Sequence, residues 1–342
     1  MTIAVAVSGG IDSMVALHLL KADGHDVFAI HFVTGYEQDS HHHSQKIIQS
    51  HLKQSNIDFQ SVDISQDFQS KVVNYFVSTY ASGKTPNPCV ICNKTIKFEL
   101  LASHAFKSGA HFLATGHYAQ VEKKSDQYLL KKGADPQKDQ SYFLSMLSSE
   151  QLSKAIFPLG TWLKKDVLKY AQENGITAIS LPESQEVCFI KDRYSNFLIQ
   201  TGTIKNLQGP IKTTSGKEIG SHHGLHNYTV GQRKGINCPA SYPYYVVRLE
   251  QKTNTLIVGQ KSELMCESCH INDINWIQAP PEQSIWIDIK IRYKTPTVLA
   301  KLHPINKNQA KVTFQSSQSA ITPGQIAVFY QGNSVIGAGE IN

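Results

Sequence analysis

Apolar positions along the first two hundred residues switch between two periods. Residues 3–7 (IAVAV) form a continuous apolar run that predicts a buried strand, and Val15, Leu17, Leu19 and Leu20 after the turn at 8–12 predict a helix. Residues 25–32 and 59–64 read as further strands, with a helix over 47–53 between them. A helix over 94–108 ends near Gly109, and 111–116 follows as another buried strand. Strands alternating with helices imply βαβ units on a parallel sheet, so the fold class is α/β and this half is a doubly wound domain.

The texture changes after about residue 203. Gly209, Pro210, Gly216, Gly220, Gly224, Gly231 and Gly235 punctuate the chain. Short alternating runs follow at 244–249, 255–258, 285–293, 298–303, 310–314 and 325–330, spaced like the hairpins of a small β domain or barrel. The expected division is a catalytic α/β domain over 1–203, a small, mainly β central domain over 204–269 and a C-terminal β-barrel over 270–342.

Composition adds limits. Of 342 residues, 41% are hydrophobic and 18% charged, enough for real cores. The longest apolar runs fall well short of the ~18 residues of a membrane span. The start, MTIAVAVSGG, has no basic region of the signal-peptide kind, so the expected location is cytoplasmic, with no membrane. Thirty-three basic against 27 acidic residues give +6, a balance that permits a polyanionic partner without demanding one. Six cysteines are too few for a disulfide scaffold. They fall as Cys89 with Cys92, then Cys188, Cys238, and Cys266 with Cys269; in a cytosolic protein such pairs point to metal or redox chemistry.

Two segments carry candidate chemistry. Ser8-Gly9-Gly10-Ile11-Asp12-Ser13 joins the first strand to the first helix. Glycines let backbone approach a phosphate, a helix N-terminus favours an anion, Ser8 and Ser13 offer hydroxyls, and Asp12 can hold Mg²⁺. An ordinary strand-to-helix turn is the bland alternative. The second segment is Thr85-Pro86-Asn87-Pro88-Cys89-Val90-Ile91-Cys92-Asn93. Its prolines read as a stiff irregular stretch ending just before a helix near 93–94, which would place the Cys92 thiol at a helix N-terminus with a lowered pKa. Cys188 lies far downstream in a loop-like segment. His41, His42 and His43 read as a polar loop, and Cys266 with Cys269 as structural.

The first of these segments resembles the pyrophosphatase-type loop of enzymes that cleave ATP between its α and β phosphates. That resemblance implies a Rossmann-like adenine-nucleotide α-hydrolase domain, with ATP held by Ala6, Val7, Ser8, Gly9, Gly10, Ile11, Asp12, Ser13, Phe32 and Gly116. Further motifs stand in one order: Asn87 to Asn93, ATGHY at 114–118, KDQSYF at 138–143, EVCFI at 186–190, YTVGQRKG at 228–235, Arg292-Tyr293 and Pro323-Gly324-Gln325. Together they resemble the bacterial tRNA-specific 2-thiouridylase family over nearly the whole chain.

The resemblance implies ATP-dependent 2-thiolation of the wobble uridine of tRNA. ATP with Mg²⁺ adenylates the uracil 2-oxygen, Cys188 carries a persulfide and Cys92 is its partner nucleophile. Candidate tRNA contacts are Asn87, Pro88, Cys89, His117, Lys138, Asp139, Gln140, Arg292, Tyr293, Lys294 and Gln325. The expected partners are tRNA and a sulfur-relay protein or cysteine desulfurase, and the expected state is a monomer. One departure stands out: some members carry Asp where this chain has Cys89. Cys89 is thus either a base-positioning group or, with Cys92 and Cys188, a ligand of a [4Fe-4S] cluster serving the same reaction. The rival readings are an ATP-dependent amidating or ligating enzyme with the same loop, and a non-catalytic RNA-binding protein.

Overall fold

The computed structural model describes residues 1–37, 40–178, 187–239 and 241–342, without the side chains of 40–44. Residues 183–186 and the imidazoles of His41, His42 and His43 therefore lie outside the described residues, although the backbone from Ser40 onward is helical (Ser40–Gln54) and not a loop.

The first half supplies strands β1 (Thr2–Ala6), β2 (Asp26–Val33), β3 (Phe59–Asp63), β4 (Phe112–Thr115), β5 (Ala119–Lys124), β6 (Gln127–Lys132) and β7 (Ala155–Ile156). Five of them form a parallel sheet in the order β3-β2-β1-β4-β7. Ile3, Val5, Ala29 and Ala114 bury one face against the helix Ile11–Ala22, whose Val15 and Leu17 meet them. Ala4, Ile30 and Leu113 bury the other face, because successive strand residues point to opposite sides.

The second half continues with β8 (Gly209–Thr213), β9 (Glu218–His222), β10 (Tyr245–Glu250) and β11 (Thr255–Gly259), a four-stranded sheet in the order β10-β11-β8-β9. Then come β12 (Met265–Trp276), β13 (Ile285–Lys290), β14 (Val298–Asn306), β15 (Gln309–Ser319), β16 (Ile326–Gln331) and β17 (Ser334–Ile341). They are antiparallel neighbours in the order β12-β15-β14-β13-β16-β17, and β12 pairs again with β17, which closes a barrel and leaves it no free edge. Ile271, Ile289, Leu302 and Phe329 fill its interior.

Strand β6 departs from the alternating plan of the first half. The β5–β6 hairpin leaves the parallel sheet and pairs with β17, Lys131 opposite Ser334 and Leu130 opposite Val335. As a result one apolar cluster crosses from the α/β domain into the barrel, with Leu113, Leu130 and Tyr142 packed together with Ile326, Val328 and Tyr330. The Tyr142 hydroxyl donates to the Ile326 carbonyl at 2.8 Å across this boundary. Among the described residues no helix is long and apolar enough to cross a membrane.

A shared core predicts shared stability. Ile326→Ala empties a buried site and should cost about 2–5 kcal/mol. Urea unfolding followed separately at Trp162 in the α/β domain and Trp276 in the barrel should show both midpoints falling; an unmoved Trp162 transition contradicts the common core.

Candidate active site

Strand order reverses between β1 and β4, the position at which open α/β sheets bind ligands beyond the carboxyl ends of their strands. The loop after β1 and Gly116 after β4 meet there. A Cβ on Gly116 would stand 2.8 Å from the Asp12 carbonyl carbon and 2.9 Å from the Ser13 nitrogen, so glycine is what lets the two strand ends close together. Gly9 turns the loop at φ +79°, a left-handed value that suits glycine. The helix Ile11–Ala22 then starts from Gly10 with no side-chain cap, which leaves its first turn facing an incoming anion. The Ser13 hydroxyl is engaged within the loop, donating to the Gly10 carbonyl at 2.8 Å and accepting from the Ser8 N–H at 3.3 Å. Phe32 lies half-buried near the end of β2.

Neighbouring side chains engage the Asp12 carboxylate. Lys164 Nζ lies 2.8 Å from each of its carboxylate oxygens, and the Tyr118 hydroxyl donates to Oδ1 at 2.7 Å. Among the described residues no three Cys, His, Asp or Glu side chains are grouped to hold a metal ion. Asp12 is thus a half-buried partner of Lys164.

The cysteine segment is more regular than its prolines predict. Asn87 is a helix N-cap whose side chain accepts from the Val90 N–H at 3.4 Å, and Pro88 occupies the first helical position, where its fixed φ fits and its missing N–H costs nothing. Helical backbone runs unbroken from Pro88 to Lys107. Cys92 therefore sits inside the helix, and the expected lowering of its pKa by a helix N-terminus does not apply. From Cys92 to Leu101 the helix is wound wide, with i→i+5 bonds such as Ala102 N–H to the Lys97 carbonyl. Residues five apart then stack on one face, which brings Lys97 to Cys92; in an α-helix they would diverge by about 140°.

Lys97 is the cation that the three thiols and His117 share. Its ammonium acts on Cys89, Cys92 and Cys188 together, favouring the thiolate at each. Burial works the other way: it pushes the Cys92 thiol up to about 12 and Cys188 to about 11, and raises Cys89 as well. Cys89 and Cys188 still present surface to solvent, whereas Cys92 is half-buried. The Glu37 carboxylate adds to the upward push on Cys188. Lys97 Nζ also lies 3.5 Å from His117 Nε2, and His117 Nδ1 lies 2.6 Å from the Thr115 hydroxyl. Burial, reinforced by Lys97, holds the His117 pKa well below its ordinary value, so the ring is neutral. A neutral ring that accepts at Nε2 carries its proton on Nδ1 and donates it to Thr115 Oγ1. Cys89, Cys92 and Cys188, the three ligands that a cluster would use, all feel the Lys97 charge, and among the described residues no group of three side chains is set to hold a metal ion.

The residues expected to touch tRNA divide into two sets. Lys138 is half-buried and Lys294 exposed. Tyr293 lies against Phe143 at 4.2 Å between ring centroids, with Lys290 Nζ 5.2 Å over its ring. Cys89 is exposed, Asn87 caps the helix, and the others are turned into the protein. Pro88 is buried at the helix start, and buried Asp139 accepts from the Gly133 and Ser141 N–H groups at 3.0 Å each. Gln140 accepts from the Tyr118 N–H at 2.9 Å, Arg292 Nη2 donates to the Thr322 hydroxyl at 2.7 Å, and His117 and Gln325 are buried. Cys269 packs in the barrel core, where burial pushes its thiol up to about 12, and Cys266 beside it is half-buried; both are free.

Three family models match the chain: a tRNA methyl transferase HUP domain over residues 1–192, a tRNA methyl transferase PRC-barrel domain over 195–260 and an aminomethyltransferase beta-barrel domain over 266–341. A tRNA-specific 2-thiouridylase MnmA of Desulfosudis oleivorans is 46% identical over 342 residues, covering 99% of this chain and 94% of that protein. The chain belongs to the tRNA-specific 2-thiouridylase family. A second member of the family, from Halothermothrix orenii, is 39% identical over 352 residues, 98% of either chain. Among solved structures, a 4-thiouridine synthetase–RNA complex with bound ATP aligns at a TM-score of 0.38 and 18% identity over 58% of this chain and 50% of that one, a likeness too low to carry chemistry.

The raised thiols give a pH dependence. With Cys89→Ala and Cys188→Ala removing the competing thiols, alkylation of Cys92 by iodoacetamide should stay slow at neutral pH and climb through the alkaline range, since a raised pKa leaves the thiol protonated until high pH. Lys97→Met should move the climb further up; an identical profile contradicts the role given to Lys97.

Proposed function

We propose that this enzyme replaces the 2-oxygen of the tRNA wobble uridine with sulfur, using ATP. The observation that carries the reading is the grouping of Cys92 and Cys188 around the Lys97 charge, from which contacts run to the phosphate loop through His117, Thr115 and Gly116. Family membership supports the same reading.

A uracil oxygen leaves poorly, so it must first be activated. The uracil 2-oxygen attacks the α-phosphorus of MgATP, the α–β bridge breaks and pyrophosphate departs. Gly9, Gly10 and the start of the helix Ile11–Ala22 receive the phosphates, while Asp12 and Lys164 exchange their mutual ion pair for contacts with MgATP. A persulfide on Cys188 then attacks C2 and AMP leaves with the former uracil oxygen. Finally the Cys92 thiolate attacks Cys188 Sγ and breaks the S–S bond, whose electron pair stays with the transferred sulfur as the 2-thione. A Cys92–Cys188 disulfide remains, and an external thiol reductant restores both cysteines. Lys97 favours the Cys92 thiolate.

Cys89 stands where other members carry a carboxylate, so proton handling at that position falls to a thiol or to the neutral His117 behind Lys97. Lys138, Tyr293 and Lys294 suit RNA, as two cations and a stacking face. Pro88, His117, Asp139 and Gln140 support the pocket from within. A methyl-transfer reading, suggested by the wording of two family models, gives no task to a paired set of thiols beside an ATP loop.

Nucleoside mass spectrometry tests this. Unmodified tRNA incubated anaerobically with the protein, MgATP, cysteine and a cysteine desulfurase should gain the oxygen-to-sulfur mass difference at the wobble uridine. Cys188→Ala should abolish the gain. tRNA-dependent pyrophosphate release with no thiouridine would keep the adenylating loop and overturn sulfur transfer.

A further inference from the structure

Gln325 was expected to touch RNA, yet it is 9% exposed and faces the cysteine segment. Its amide nitrogen lies 2.9 Å from the Thr85 carbonyl and 3.1 Å from the Pro86 carbonyl. Both partners are acceptors, so the NH₂ end must be the one that faces them. Three further contacts reach the same stretch from the barrel. Thr85 N–H donates to the Pro323 carbonyl at 2.8 Å, Lys84 Nζ pairs with Glu340 at 2.8 Å, and Gly324 lies flush against Lys84 and Thr85. A Cβ on Gly324 would stand 2.9 Å from the Thr85 nitrogen and oxygen, and its φ of +87° is itself a left-handed value.

The turn bearing these groups is fixed to the barrel. Gly324 N–H donates to the Ile341 carbonyl, Ile341 N–H donates back to the Gln325 carbonyl at 2.8 Å, and Arg292 holds Thr322. Within the α/β domain the stretch it grips is tied back by the Lys84 N–H, which donates to the Thr79 carbonyl at 3.1 Å. Pro86 and Pro88 have no N–H to donate, and the backbone of 84–86 precedes the helix whose first turn carries Cys89 and whose body carries Cys92.

We propose that Gln325 is a positioning residue for sulfur transfer: through the Thr85 and Pro86 carbonyls the barrel sets where the helix carrying Cys89 and Cys92 begins. The barrel thereby serves the chemical step as well as RNA binding. This rests on Cys92 acting as a sulfur-handling nucleophile, as proposed above. Direct RNA contact by Gln325 and positioning by Gln325 differ in what they do to kcat and KM. A lost RNA contact raises KM for tRNA, whereas a displaced nucleophile lowers kcat.

The test uses full-length Gln325→Leu and Lys84→Met, the second breaking the same junction at a more exposed ion pair in case the first folds poorly. Hydrogen exchange of the peptide spanning 84–93 is measured without RNA, and kcat and KM for tRNA are measured in thiolation. Positioning predicts exchange in that peptide faster by roughly tenfold in Gln325→Leu, as expected for lost buried hydrogen bonds, with kcat falling by a similar factor and KM moving less than about twofold. Unchanged exchange with a raised KM and an intact kcat overturns the proposal in favour of direct RNA contact. If the wild-type protein makes no thiouridine, the sulfur-transfer reading fails; the exchange result still decides whether the barrel holds the segment.

Discussion

At Cys92 burial and charge oppose each other: burial holds the thiol protonated, and the Lys97 ammonium favours the thiolate. The rest of the pocket follows from placing that ammonium. The wide helical winding after Cys92 turns a residue five positions along back onto the same face. Neutral His117 accepts from the ammonium without competing for the role of cation, and Thr115 fixes the ring. Because Thr115 ends β4 and Gly116 lies flush on the loop after β1, the proposed sulfur and nucleotide sites share one short piece of backbone. An activated uracil and an incoming sulfur must meet at one carbon, and this shared backbone sets the two sites side by side.

The barrel belongs to the same construction. The β5–β6 hairpin joins its sheet, and Tyr142 and Ile326 stand in one core across the boundary. The turn at 322–325 closes on the cysteine segment from the other side. Arg292, Tyr293 and Gln325 thus lie along a path from the barrel to the helix carrying Cys89 and Cys92. Catalytic groups held by packed and hydrogen-bonded neighbours keep the geometry that a loop alone would lose.

Much of the fold was legible along the chain. The apolar runs at 3–7, 25–32 and 111–116 are parallel strands because burial on both faces needs continuous apolar residues, and the phosphate-loop glycines stand at a strand-to-helix junction as their spacing implies. The β5–β6 hairpin was not legible: its pairing with β17 involves two residue pairs far apart in sequence. Pro86 and Pro88 read as irregular structure, although Asn-Pro is also an N-cap followed by the first helical residue, and local sequence does not separate these outcomes. Lys97 and Lys164 carry no signal in the sequence, since a five-residue stacking and a partner as distant as Asp12 leave no local pattern. The tRNA candidates Asp139, His117 and Gln325 were polar residues in family motifs, and polarity alone does not tell an inward support from an outward contact.

The central claim is that Cys188 delivers the sulfur and Cys92 releases it by forming a disulfide with Cys188, and it is tested by peptide mapping of a single turnover. Enzyme loaded with persulfide at Cys188 is mixed with MgATP and unmodified tRNA without reductant, quenched in acid and digested. The account predicts a Cys92–Cys188 disulfide appearing in step with thiouridine, one per sulfur transferred, and absent when ATP is withheld. Thiouridine formed while both cysteines remain reduced would contradict it.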